Sequence, residues 1–83
     1  MFKIAFKKSV TKDLKKISKA QVKRIFDKIE NDLSRKPDQF PELKGKFSGL
    51  RKYRIADYRI IFVIIEDDTV LITRIKHRKE VYK

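Results

Sequence analysis

Cysteine is absent from this chain of 83 residues. No disulfide can staple the fold, and every cysteine-based zinc pattern is excluded. Glycine and proline occur twice each, and all four fall between Pro37 and Gly49. No stretch approaches the roughly 18 apolar residues of a membrane span. The first residues, MFKIAFKKSVTK, lack the apolar core of a secretion signal, so a cytoplasmic chain with no membrane partner is expected. Acid is also scarce, with 11 Asp and Glu against 23 Lys and Arg, for a formal charge of +12. Such an excess suits a polyanion such as RNA or DNA, or an acidic protein. It is shared evenly between residues 1–43 and 44–83, so any basic patch must be assembled by folding.

The length implies one domain over residues 1–83. A domain of this size buries only about 60% of its unfolded surface, so it needs a good core or a partner. Phe2, Ile4 and Phe6 alternate with Lys3, Ala5 and Lys7, the period of a strand with one buried face. Ser9 opens a short amphipathic helix carrying Val10, Leu14 and Ile17. Ser18 and Gln21 form a capping-box pattern for a second helix. Its stripe is Val22, Ile25, Phe26, Ile29 and Leu33, and Pro37 stops it near Lys36. Residues 37–49 form a long loop pinned by Phe40, Leu43 and Phe47. From Leu50 to about His77 the pattern is strand-like, with turns at Ala56-Asp57 and Asp67-Asp68. The expectation is an α+β fold: a small antiparallel sheet, made of the N-terminal strand and three C-terminal strands, with a helical hairpin on one face. An edge position suits the first strand.

The two turns set a register. It places Tyr53, Ile55, Tyr58, Ile60, Phe62, Ile64, Leu71, Thr73 and Ile75 on the helix side. The open side then holds five cations near the first turn: Lys52, Arg54, Arg59, Arg74 and Lys76. Arg54 faces Arg59, a like-charge pair that costs stability unless an anion joins it. Guanidinium forks fit phosphate bidentately, so the cluster reads as an anion site. Splaying of the side chains into water is the structural alternative. Toward the second turn the same face carries Ile61, Val63, Ile65, Val70 and Ile72, a sticky stripe expected to meet a partner protein. A homodimer through this surface is the lesser alternative. Lys44 and Lys46 are either surface charges or substrate contacts.

Together the LKG of Leu43-Lys44-Gly45, the hairpin RKYRIADYRIIF (residues 51–62) and the ending HRKEVY (residues 77–82) resemble the RelE/ParE superfamily of toxins, over nearly the whole chain. Two departures are visible: Ala56 stands where Gly is common, and Lys76 where Gly often precedes the His. The resemblance implies a type II toxin held by a cognate, RelB-like antitoxin, in an assembly that can be a heterotetramer. It implies a ribosome-dependent endoribonuclease on translated mRNA, with no metal or cofactor. In that chemistry the message's own 2′-hydroxyl attacks the adjacent phosphate. By position it assigns site roles to Lys52, Arg54, Arg59, Arg78 and Tyr82. From their charge and place in the chain, Lys44, Lys46, Arg74 and Lys76 are expected as RNA contacts beside them. Arg59 and Arg78 suit phosphorane stabilisation, and Lys52 is a candidate base. Tyr82 suits either a base or a stacking platform. Strict alternation puts His77 on the helix side with Ile75; a bulge at the strand end would turn it to the site as acid or base. Glu80 reads as a salt-bridge partner. Two other functions are compatible with this sequence: a ParE-like toxin that binds DNA gyrase without cutting RNA, and a non-catalytic basic RNA-binding module.

Overall fold

A computed structural model describes residues 1–43, 49–66, 68–77 and 79. The order is β1 (Lys3–Phe6), α1 (Lys8–Leu14), α2 (Lys19–Lys28), then β2 (Arg51–Ile55), β3 (Tyr58–Ile65) and β4 (Thr69–His77). The α+β architecture is the one expected from the sequence. Ser18 caps α2 as its pattern implies, its hydroxyl accepting from the Gln21 N–H at 3.4 Å. The helix then widens into a π turn, Ile29–Leu33, which keeps both Ile29 and Leu33 fully buried. Pro37 opens a single 3-10 turn, Pro37–Gln39.

The strands lie in the order β1-β4-β3-β2. β1 takes an edge, as expected, but runs parallel to β4, so the sheet is mixed rather than wholly antiparallel. The core joins Val10, Ile25, Ile29 and Leu33 of the helical layer to Ile55, Ile60, Phe62, Val70, Ile72 and Ile75 of the sheet. Each such aliphatic side chain contributes roughly 1.5–3 kcal/mol by leaving water. Phe2, Ile4 and Phe26 pack around it. Among the described residues no helix is long and apolar enough to cross a membrane.

One irregularity changes which residues face which way. β3 and β4 pair regularly from Tyr58↔His77 to Ile61↔Arg74, but the next pair is Phe62↔Ile72. Thr73 is therefore an extra residue, a β-bulge, and from there the faces of β4 exchange. Val70 and Ile72, expected on the open face, are fully buried in the core. Leu71, expected inside, lies opposite Val63 and is half-buried. The bulge falls where β1 leaves β4: the last backbone bond of that edge runs from the Lys7 N–H to the Ile72 carbonyl, at 2.9 Å. Beyond it, α1 supplies side chains in place of a strand. The Ser9 hydroxyl donates to the Thr73 carbonyl at 2.6 Å, and Asp13 accepts from the Ile75 N–H at 3.0 Å. Thr73 itself donates its hydroxyl hydrogen to the Ile61 carbonyl at 3.1 Å.

Candidate nucleic-acid interface

The hairpin of β2 and β3 turns at Ala56-Asp57, with Ala56 at φ +52°. That turn sets Ile55 opposite Tyr58 and Arg54 opposite Arg59, the register expected from the sequence. Lys52, two residues along the same strand, shares their face. These three cations line a groove of about 400 Å³ together with Phe40, Pro41 and Tyr53. Among the described residues the lining holds no carboxylate. The Arg54 Nε–H donates to the Ala56 carbonyl at 3.3 Å, which ties that side chain back to the turn.

The segment before β2 also lines the groove and runs along the edge of that strand. It is fastened by backbone and by one side chain. The Lys52 N–H donates to the Pro41 carbonyl at 3.1 Å, and the Leu43 N–H donates to the Leu50 carbonyl at 2.8 Å. The Arg51 guanidinium donates to the carbonyls of Phe40 (2.7 Å) and Asp38 (3.2 Å) and pairs with Glu42 at 3.1 Å. The Phe40 ring packs on Tyr53, with centroids 4.7 Å apart, and edge-on to Phe62 at 6.2 Å. Tyr53 donates its hydroxyl hydrogen to Asp32. Burial and the Asp32 carboxylate both push the Tyr53 pKa up, so the phenol stays protonated as a donor.

The other two cations of the expected cluster, Arg74 and Lys76, are engaged elsewhere. Asp13, on α1, is buried and accepts from Arg74 through Nε and a terminal nitrogen, both at 3.0 Å. Lys76 adds its ammonium at 3.5 Å. The cluster of five cations thus has an acid in it, which the strand pattern alone did not anticipate. Burial raises the Asp13 pKa, but the bonds from Arg74 and Ile75 and the charges of Arg74 and Lys76 outweigh it. The carboxyl is held below its ordinary 3.8.

His77 points to the helix side, as strict alternation has it. Its ring stands perpendicular to Tyr58 with centroids 5.3 Å apart, and its Nδ1 accepts from the Lys79 N–H at 3.2 Å. It lines a separate cavity of about 340 Å³ with Asp13, Lys16 and Tyr58, and is not brought to the groove of Lys52, Arg54 and Arg59. Arg78, Tyr82, Lys44, Lys46 and Glu80 lie outside the described residues, as do Phe47 and the Asp67 of the second turn. Toward that turn the open face presents Ile61, Val63 and Leu71, half-buried, and Ile65, 37% exposed.

Asp13, Phe40 and Arg51 carry site geometry that the sequence reading did not assign to them. For Asp13 a signal existed: an acid adjoining the apolar stripe of Val10, Leu14 and Ile17 in a chain short of acids. For Arg51 there was none, because its partners come from a loop with no periodicity.

Residues 4–82 match the family model of the ParE toxin of type II toxin-antitoxin systems, parDE. The chain is 30% identical over 87 residues to RelE1 of Methanocaldococcus jannaschii, covering 99% of this chain and 96% of that protein. It is similar to the solved toxin-antitoxin complex RelBE2 from Mycobacterium tuberculosis, with a TM-score of 0.84 at 28% identity over 93% of this chain and 98% of that one. The RelB-RelE complex from Methanococcus jannaschii is also similar, with a TM-score of 0.64 at 26% identity and 94% of each chain covered. With a family model spanning nearly every residue and a relative aligned end to end, the chain belongs to the RelE/ParE superfamily of type II toxins.

Proposed function

We propose that this toxin is a ribosome-dependent endoribonuclease that cuts translated messenger RNA and so arrests growth, and that a RelB-like antitoxin holds it inactive in the cytoplasm. The observation that carries this reading is the convergence of Lys52, Arg54 and Arg59, from two paired strands, on one groove. Three cations fixed on a sheet are what a backbone phosphodiester needs from a protein that stabilises charge on it. In the reaction, the 2′-oxygen bonds to the adjacent phosphorus and the bond to the 5′-oxygen breaks. The 2′ proton leaves to a base, and the departing 5′-oxygen takes up a proton. A 2′,3′-cyclic phosphate and a 5′-hydroxyl result, with no redox change. In this reading Arg59 and Arg54 meet the non-bridging oxygens. Lys52 is the candidate base within the described residues. The family resemblance adds Arg78 and Tyr82 to this set, and the charge of Lys44 and Lys46 suits further contacts along the RNA. Solved relatives are complexes with antitoxins, which supports the partner.

A second reading has one specific observation in its favour. The matching family model is that of ParE toxin, and the ParE-like alternative acts on DNA gyrase without cutting RNA. Inducible expression followed by primer extension on a translated message separates the two. The expected result is in-frame cuts in wild type that vanish in Arg59→Ala, with the variant still folded. Growth arrest without cuts would transfer the protein to the gyrase reading; RNA binding without cuts or arrest would make it a passive module.

A further inference from the structure

We infer that Phe40 and Pro41 form a nucleobase-binding wall beside the phosphate-facing cations, and that Arg51 is the positioning residue that holds this wall in place. The inference rests on the reading that the groove receives single-stranded RNA, and it deepens that reading by assigning a base subsite. A groove for phosphate alone needs only cations. This one is lined by an aromatic residue and a proline as well as by Lys52, Arg54 and Arg59. A lining that combines cations with apolar residues matches a nucleotide, whose phosphate and base differ in the same way. Aromatic side chains take bases of any identity on their faces.

The wall is also built to stay still. The Phe40 ring is backed by Tyr53 and Phe62, and Tyr53 is anchored in turn through Asp32. The Arg51 guanidinium is spent inward. It holds the Phe40 and Asp38 carbonyls and the Glu42 carboxylate, and its side chain is only 21% exposed. An arginine used in this way contributes little direct charge to a bound phosphate. It contributes order, so that binding need not freeze the loop segment. Sequence position sharpens the distinction. Arg51 and Lys52 are adjacent strand residues and point to opposite sides of β2, so one serves the loop and the other the groove.

The test uses the full-length toxin and two short probes, an oligoadenylate with 2′-O-methyl groups to prevent cleavage and an abasic oligomer with the same number of phosphates. Binding is followed by fluorescence anisotropy across a salt series. Wild type should bind the base-bearing probe roughly 10- to 100-fold more tightly, the range of one aromatic stacking contact. Both probes should show the same salt slope, because they carry the same phosphates. Arg51→Ala and Phe40→Leu should each lose most of the preference while keeping the slope. Phe40→Leu retains an apolar body against Tyr53 and Phe62, so it carries the test if Arg51→Ala fails to fold. Equal affinity of wild type for the two probes, with salt-dependent binding intact, would overturn the base subsite and leave the phosphate reading standing. A preference that survives both variants would overturn the wall as its source. A slope that falls in Arg51→Ala would make Arg51 a phosphate contact and overturn its positioning role. If neither probe shows salt-dependent binding, the RNA reading itself falls, and the inference with it.

Discussion

Asp13 is the residue on which the two layers of the molecule depend. Its side chain is 3% exposed and closes three functions at once. It caps the free N–H of Ile75 on the β4 edge, it receives the fork of Arg74, and it draws in Lys76. The Arg74 side chain remains 44% exposed, so much of its pairing energy is lost to solvent screening. The buried bonds still matter, since a hydrogen bond to a charged group contributes about 1.5–3 kcal/mol. Asp13→Asn should therefore lower stability by about 2 kcal/mol at pH 7, read from urea unfolding. The sign with pH follows from the lowered folded-state pKa. The unfolded chain binds this proton first, near the ordinary carboxylate value of about 3.9. The contribution is full above that value and is lost as pH falls through the lower folded pKa. The gap between wild type and variant should thus close as the solution is acidified below about pH 4. A gap that persists at pH 2 would show that packing, not charge, accounts for the loss. None of this was legible from the strand pattern, because the partners lie 61 residues apart and a register argument sees only neighbours on the sheet.

At the scale of elements, the sequence was legible wherever a turn announced itself and illegible where a strand changed register without a marker. Ala56-Asp57 sets the β2–β3 pairing, and Arg54↔Arg59 follows from counting outward. Ser18 and Gln21 marked the start of α2. Thr73 gives no such notice. It is β-branched, which suits a strand, and no glycine flags the bulge. A slip of one residue then moves Val70 and Ile72 from the expected partner surface into the core, and Leu71 outward. The cause lies in a different element: α1 replaces β1 along the β4 edge at this point, and Ser9 takes the Thr73 carbonyl. The exchange predicts opposite behaviour for adjacent residues. Ile72→Ala should cost roughly 2–5 kcal/mol, because it opens a cavity in a closed core. Leu71→Ala should cost about 1 kcal/mol, since part of that side chain already meets water. Equal losses in thermal or urea unfolding would contradict the bulge.

For the whole molecule, the sheet divides its open face into a charged end and an apolar end. Arg54 and Arg59 occupy one, Val63, Leu71 and Ile65 the other, and Lys52 and Ile61 face each other where the two meet. This division survives the register change, although Leu71 replaces Val70 and Ile72 in the apolar part. With a formal charge of +12, the free toxin attracts any polyanion, so a specific inhibitor gains from reading both ends together. An antitoxin segment that places apolar side chains on Val63 and Leu71 and acids near Arg54 and Arg59 would cover stripe and groove in one contact. Val63→Glu tests that arrangement, because it sets an unpaired acid in the middle of the apolar part while sparing the core. The variant should fold, and should still arrest growth when expressed alone, because Val63 does not line the groove. Its affinity for the cognate antitoxin should fall by roughly 10- to 100-fold, the range for losing one central interface contact. Co-expressed antitoxin should then fail to restore growth at levels that rescue wild type. Full rescue of Val63→Glu would place the antitoxin on another surface, and neutralisation would have to work without the apolar end of the sheet.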